Sequence, residues 1–222
     1  VRAKVVTIRL EQSGLTAQEE QEIHHDFDSY LQLAERYTEP AHPHIYITHG
    51  LSGSGKTTLT KTLMQHLGAI RIRSDIERKR LFGMRGDEQS DSTTIYTEDA
   101  SSRTYQRLAE QATAISEGGY PVIVDATFLE QSERDRFRAL ADELEIPFTI
   151  LHFDASPEEL THRIQTRVET GTDASEADVT VLQGQINRYR PLADEEMLKT
   201  IIINTEAKHP LKEILINSSL VN

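Results

Sequence analysis

Apolar residues recur along this chain with two periods. Over residues 15–37, Ile23, Phe27, Tyr30, Leu31 and Ala34 fall at helical intervals in a Glu- and Gln-rich stretch, which predicts an N-terminal helix. Thr38-Glu39-Pro40-Ala41-His42-Pro43 follows as a linker, because two prolines block both helix and ladder bonding. From His44 onward short apolar, β-branched runs alternate with helical patterns. Strands are predicted at Ile45–Thr48, Ala69–Arg73, Pro121–Val124, Phe148–Phe153 and Thr200–Asn204. Between them the spacing predicts helices over Lys56–Leu67, Arg103–Ser116, Ser132–Leu144 with Ser132 as its cap, from Ser156-Pro157 onward, and over Ser175–Tyr189. A last helix is predicted over Leu211–Ile216. Short apolar strands separated by helices specify an α/β fold: a five-stranded parallel sheet with helices on both faces. The expected organisation is a helical segment and linker over 1–43 and one α/β domain over 44–222.

Composition narrows the class. Of the 222 residues 37% are hydrophobic and 27% charged, a globular balance. No run approaches the ~18 apolar residues of a membrane span, and the N-terminus lacks the apolar core of a signal peptide. Cysteine is absent, which excludes disulfides and thiolate-bound metals. No membrane partner and a cytoplasmic location are the expectations. A net charge of −12 repels nucleic acid at long range. Against it stands a basic island of Arg71, Arg73, Arg78, Lys79, Arg80 and Arg85, which suits a small phosphorylated ligand better than a duplex, or else forms a solvated helix face. The chain opens on Val1 in mid-pattern, so a piece of a longer protein is expected.

The strongest local signal is Gly50-Leu51-Ser52-Gly53-Ser54-Gly55-Lys56-Thr57, a complete Walker A loop between a strand and a helix, continued by Thr58. Its glycines let successive N–H groups turn inward around phosphate, and the helix N-terminus adds a favourable dipole. Lys56 is placed for the β- and γ-phosphates and Thr57 for Mg²⁺, so ATP and Mg²⁺ are the expected ligands. Asp125 closes the run Val122-Ile123-Val124 and fits the second Mg²⁺ carboxylate, or a plain loop cap. The residue after it is Ala126, not the glutamate of many ATP hydrolases, and no Asn-Lys-x-Asp guanine signature occurs. A phosphotransferase is what these exclusions favour.

Such an enzyme needs a carboxylate beside the acceptor hydroxyl, at the carboxyl end of a strand near the loop. Asp75 follows the second strand, with Arg78 one turn on. Ser74-Asp75-Ile76-Glu77 is equally a capping box. Arg163 and Arg167 share a helix face after the fourth strand and suit either a lid that neutralises the transferring phosphoryl group or ordinary surface salt bridges. Arg188 and Arg190 carry no distinguishing pattern, and His152 at a strand end reads as a packed or capping histidine.

Asp75-x-x-Arg78 behind a Gly-Ser-Gly-Lys-Thr loop resembles the polynucleotide kinase and zeta-toxin group of P-loop kinases. Three passages carry the likeness: 50–59, 73–83 and Val-Ile-Val-Asp-Ala-Thr-Phe-Leu at 122–129. It covers about His44 to Asn204 and is nearest to a bacterial kinase-like domain often fused behind an aminoglycoside-phosphotransferase-like domain. It implies a P-loop NTPase fold with a helical lid, Asp75 as general base, Arg78 on the substrate, and transfer of the γ-phosphate to a hydroxyl of a small or nucleotide-like molecule. Two alternatives stay open: an ATP-binding regulatory module without phosphotransfer, and a zeta-toxin-like kinase of a nucleotide sugar.

Overall fold

The computed structural model describes residues 2–10, 14–36, 42–85, 97–170 and 179–212. It divides into two units, 1–41 and 42–222. The first holds helices α1 (Arg2–Arg9) and α2 (Ala17–Arg36). Glu19 opens α2 by accepting from the backbone N–H and the hydroxyl of Thr16, both at 2.8 Å.

The second unit runs β1 (Ile45–His49), α3 (Lys56–His66), β2 (Ile70–Arg73), α4 (Ser74–Leu81), α5 (Glu98–Glu117), β3 (Val122–Asp125), α6 (Gln131–Glu143), β4 (Phe148–Asp154), α7 (Pro157–Thr170), α8 (Val179–Arg188), α9 (Asp194–Met197) and β5 (Thr200–Asn204). The five strands form one sheet in the order β2-β3-β1-β4-β5, every pairing parallel. This is the parallel α/β sheet that the alternation of elements predicts, in the P-loop NTPase architecture that the resemblance implies.

The strand side chains sort by parity. Ile45 and Ile47 of β1, Val122 and Val124 of β3 and Phe148 and Ile150 of β4 pack with Leu108, Ala112, Phe137 and Ala141 of α5 and α6. Tyr46, Ile123, Leu151, Phe153 and Ile203 turn to the other face and meet Leu63 of α3. Both faces of the central strands are therefore covered, which is why β1 and β3 are buried along their whole length. Burying side chains of this size stabilises by roughly 1.5–3 kcal/mol each.

Several boundaries differ from the sequence expectation. Helix α5 begins at Glu98 rather than Arg103, because Thr97 caps it by accepting the Ala100 N–H at 3.2 Å. Ser132 is not a cap: Glu130 holds the N-cap position of α6, and Ser132 lies inside its first turn. The capping box at Ser74–Glu77 is also absent. Arg73 is the N-cap of α4, without a side-chain cap, and Glu77 instead pairs with Arg80 and accepts from Gln111 at 3.0 Å. At the front of α7 the expected cap is present, with Ser156 Oγ accepting from Glu159 N at 3.4 Å. The early part of the expected helix Ser175–Tyr189, and residues 213–216 of the expected helix Leu211–Ile216, lie outside the described residues. No described helix is long and apolar enough to cross a membrane.

Candidate active site

The carboxyl ends of β1, β2 and β3 open into one cleft of about 960 Å³. The phosphate loop leaves β1 here, and its shape depends on glycine. Gly50 has φ 141° and Gly53 φ 85°, and an added Cβ would lie 2.6 Å from the Phe153 carbonyl oxygen at the first and 2.8 Å from that of Leu160 at the second. The loop therefore approaches other backbone too closely for any side chain. Ser52, Gly53, Gly55, Lys56, Thr57 and Thr58 line the cleft. Gly50 and Ser54 face a smaller hollow behind the loop, where Ser54 is buried.

Lys56 is folded over this loop. Its Nζ donates to the carbonyls of Gly50 and Leu51 at 2.8 and 2.7 Å and to Ser54 Oγ at 3.3 Å. Gln185 of α8 reaches the same loop, its Oε1 accepting the Ser52 N–H at 2.8 Å. Leu182 of α8 packs with Leu160 and Ile164 of α7 and with Leu51. Helices α7 and α8 are thus seated directly on the phosphate loop.

Arg163 lies in that seat. Its Nε donates to Glu159 at 2.6 Å, and its guanidinium also reaches Thr205 Oγ1 at 2.9 Å, Thr205 O at 3.2 Å and Gly53 O at 3.4 Å. It lines the cleft on the loop's side, as does Arg188. Arg167 belongs to α7, but its side chain lies outside those described. Arg190 donates to the Tyr189 carbonyl at 3.3 Å.

Asp125 ends β3 almost fully buried. Thr60 donates to its Oδ2 at 3.2 Å, and Arg71 Nη1 stands 3.8 Å from the same oxygen. Burial pushes the Asp125 carboxyl above the ordinary range; Lys56 opposes this, Asp75 adds to it, and Arg71 and Arg73 oppose it. A carboxylate in that position gains from a cation. With the cleft-lining Thr57 it offers two hard oxygen donors, a set that fits Mg²⁺, which takes its remaining ligands from phosphate and water. No cluster of three or more metal-binding side chains occurs among the described residues, and a Mg²⁺ bound in that manner needs none.

Asp75 and Arg78 line the same cleft. Arg73, the β2 residue in register with Asp125, grips Asp75 with Nε at 3.0 Å and Nη2 at 2.5 Å. A two-point fork of this kind fixes the plane of the carboxylate. Asp75 Oδ1 also accepts the Ile76 N–H at 2.8 Å. The basic island that the sequence offers as an anion site is not a cationic groove. Arg71 bonds the Thr57 carbonyl and Thr60, Arg73 holds Asp75, Arg80 pairs with Glu77, and Lys79 is buried. Of the six, Arg78 alone lines the cleft.

Sequence reasoning quotes the loop that joins β3 to α6 in the resemblance but gives its side chains beyond Asp125 no role. Thr48 ties it to β1, accepting the Ala126 N–H at 2.9 Å and donating to the Ala126 carbonyl at 2.5 Å. Phe128 adopts φ 47° and packs fully buried between Tyr105 and Phe137. Arg134, 1% exposed, donates to the carbonyls of Phe128 and Leu129 and forms a two-point pair with Glu196 at 2.6 and 3.0 Å. No local pattern distinguishes Arg134 from a surface residue of a helix first turn.

The end of β1 carries a second polar pair, buried on the His49 side. His49 and His152 are register partners, and their Nδ1 atoms are 2.8 Å apart. His49 Nε2 is buried without a partner. An orphaned acceptor costs less than an orphaned N–H, so the arrangement has His49 donating from Nδ1 and His152 accepting. Burial, then repulsion from His152, Arg134 and Lys56, pushes the His49 pKa down to about 3. His152 is thus a packed histidine, as its position at a strand end suggests.

A family model described as an AAA domain matches residues 45–192. An uncharacterized protein of Mycobacterium tuberculosis (strain H37Rv) is 25% identical over 178 residues, covering 79% of this chain and 34% of the relative. The chain thus spans about a third of the length of that relative. Among solved structures, a gluconokinase from Sinorhizobium meliloti 1021 superposes with TM-score 0.58 at 20% identity, covering 82% of this chain and 95% of that one. A sugar kinase from Janibacter sp. HTCC2649 superposes with TM-score 0.54 at 22% identity, over 82% and 93%. Likeness at this level establishes a shared fold.

Proposed function

The chain belongs to the AAA domain family, and from that premise we propose that it is an ATP- and Mg²⁺-dependent phosphotransferase acting on a hydroxyl of a small molecule. One observation carries the reading. The phosphate loop and the Asp75–Arg78 pair face each other across a single cleft, with Asp125 beside both. The solved relatives named as gluconokinase and sugar kinase lend it support at the level of fold.

In this reading the amides of the loop and Lys56 hold the phosphates of ATP. Lys56 leaves the loop carbonyls for the β- and γ-phosphates when nucleotide enters. Thr57 and Asp125 are the residues that would hold Mg²⁺, which neutralises charge on the phosphate oxygens. Asp75, its orientation set by Arg73, accepts the proton of the acceptor hydroxyl. The freed oxygen bonds to the γ-phosphorus as the bond from that phosphorus to the β–γ bridging oxygen breaks, and ADP leaves. Arg78 positions the acceptor. Arg163 steadies the loop through the Gly53 carbonyl and adds positive charge to the phosphate side of the cleft; Arg167, one turn further on α7, is assigned to the transferring phosphoryl group.

The test is transfer of labelled γ-phosphate from Mg-ATP to small hydroxyl acceptors, with Asp75→Asn in parallel. Transfer that falls by about 10²–10⁴-fold in the variant, with ATP affinity retained, supports the assignment. Transfer undiminished in the variant rules out Asp75 as base, and ATP binding with no transfer to any acceptor favours a regulatory nucleotide-binding module.

A further inference from the structure

The cleft is electrostatically divided. On the nucleotide side the described lining carries the cations Lys56, Arg163 and Arg188, with Asp125, assigned above to Mg²⁺, as its one carboxylate. On the side built by α4, α5 and the start of α6, the lining carries, among the described residues, Asp75, Glu98, Glu130 and Glu133 against Arg78 alone. Resting on the phosphotransferase reading above, we infer that the acceptor is a polyhydroxylated molecule free of negative charge, bound best when it carries a protonated amine.

Three features of the acceptor side point to this class. The five other members of the nearby basic island are absent from the lining, so an acceptor carboxylate or phosphate would meet Arg78 and four acidic residues. Glu98 and Glu130 are exposed and have no salt-bridge partner among the described residues, leaving both carboxylates available to a ligand. The buried Oε2 of Glu133 stands 3.4 Å from Arg136 Nη1 as an ion pair but makes no hydrogen bond. Burial pushes the Glu133 carboxyl up, Arg136 opposes, and Glu130 adds to the rise. A carboxylate in that setting gains most from an incoming ammonium group.

Hydroxyl groups complete the surface. Ser101 and Ser102 of α5 and Ser132 of α6 line the cleft beside these carboxylates. Carboxylates that accept two or more bonds each, interleaved with hydroxyls that both donate and accept, match the hydroxyls of a sugar or polyol. An aldonate such as gluconate shares the hydroxyls but would bring its own carboxylate against this wall.

Three probes of one carbon skeleton separate the possibilities: D-glucosamine, D-glucose and D-gluconate. Their binding is measured by calorimetric titration into the protein saturated with Mg²⁺ and a non-hydrolysable ATP analogue, and their phosphorylation is measured with Mg-ATP. The expected order of affinity is glucosamine, glucose, gluconate, with at least about tenfold between the ends that shrinks as salt is raised. Glu130→Gln with Glu133→Gln narrows that spread to within about threefold, the analogue's own affinity serving as the check that the variant is folded. Gluconate bound as tightly as glucosamine, no binding by any of the three, or a spread unchanged in the double variant overturns the inference. Preferential binding of glucosamine with no phosphoryl transfer sustains the charge selection and removes the phosphotransferase reading instead.

Discussion

The side-chain carbonyl of Gln185 accepts the backbone N–H of Ser52 at 2.8 Å, joining two elements 133 residues apart in the chain. Gln185 is buried, and its neighbour Leu182 packs with Leu160, Ile164 and Leu51. The bond makes the position of α8 part of the geometry of the phosphate loop. Gln185→Ala removes it and leaves the Ser52 N–H unpaired at a cost of about 1–3 kcal/mol. The KM for ATP should rise about three- to tenfold, with a smaller change in kcat. An unaltered KM and an unaltered ATP affinity would show that the latch does not shape the loop.

Gly50→Ala should abolish tight nucleotide binding. The new Cβ would sit 2.6 Å from the Phe153 carbonyl, at a φ of 141°. Strain of about 1–3 kcal/mol is expected from the backbone alone, and the loop must move to relieve the contact. Titration with ATP should show at least tenfold weaker binding (roughly 1.4 kcal/mol), and normal affinity would mean that the loop has slack the geometry does not reveal.

Arg134 and Glu196 should be strongly coupled. Arg134→Met leaves Glu196 buried without its partner and is expected to cost about 3–5 kcal/mol, while Arg134→Met with Glu196→Leu should recover most of that loss. Burial raises the Glu196 carboxyl, but its bonds to Arg134 and to the Ala193 N–H outweigh this and hold it below 4.5. A lowered acid stabilises the fold above its unfolded value, and the contribution is lost as pH falls through the folded one. Urea unfolding of the single and double variants reads the coupling directly; additive losses would refute it.

His49 adds a second loss of stability in acid, beginning at higher pH. Its folded pKa of about 3 lies below the ordinary 6.5, so between these values the unfolded chain binds the extra proton. Stability is therefore full above pH 6.5 and declines as pH falls toward 3. The expected slope is about 1.4 kcal/mol per pH unit for this group. His44, lowered by burial to about 4, adds to the same window. Comparing unfolding midpoints of the parent and His49→Gln across this range should show a shallower decline in the variant; identical slopes would clear His49 of the effect.

The sequence makes the scaffold readable where local chemistry is sufficient. The phosphate loop, all five strands and the Asp75–Arg78 spacing come from runs of at most ten residues, set by glycine conformation, by short apolar β-branched stretches and by one helical turn respectively. The readings at Ser74 and Ser132 fail for one reason. Either residue can cap a helix, but the backbone turns helical before it, with Arg73 and Glu130 at the N-cap positions and no side-chain cap at either. Gln185, Arg134 and the acidic wall of Glu98, Glu130 and Glu133 are invisible in the linear pattern. Gln185 and Arg134 act through partners 133 and 62 residues away, and the wall exists only once α5 and α6 converge on the cleft.

Strand β2 is four residues long and lies at the edge of the sheet. Its alternation sends Ile72 into the core while Arg71 reaches Thr57 and Thr60, and Arg73 both pairs with Asp75 and sits in register with Asp125. A slip of one residue would exchange the faces of isoleucine and arginine. The burial of one methyl-bearing side chain thus acts as the alignment pin for two carboxylates, and the chain cannot place Ile72 correctly without also aiming its proposed base.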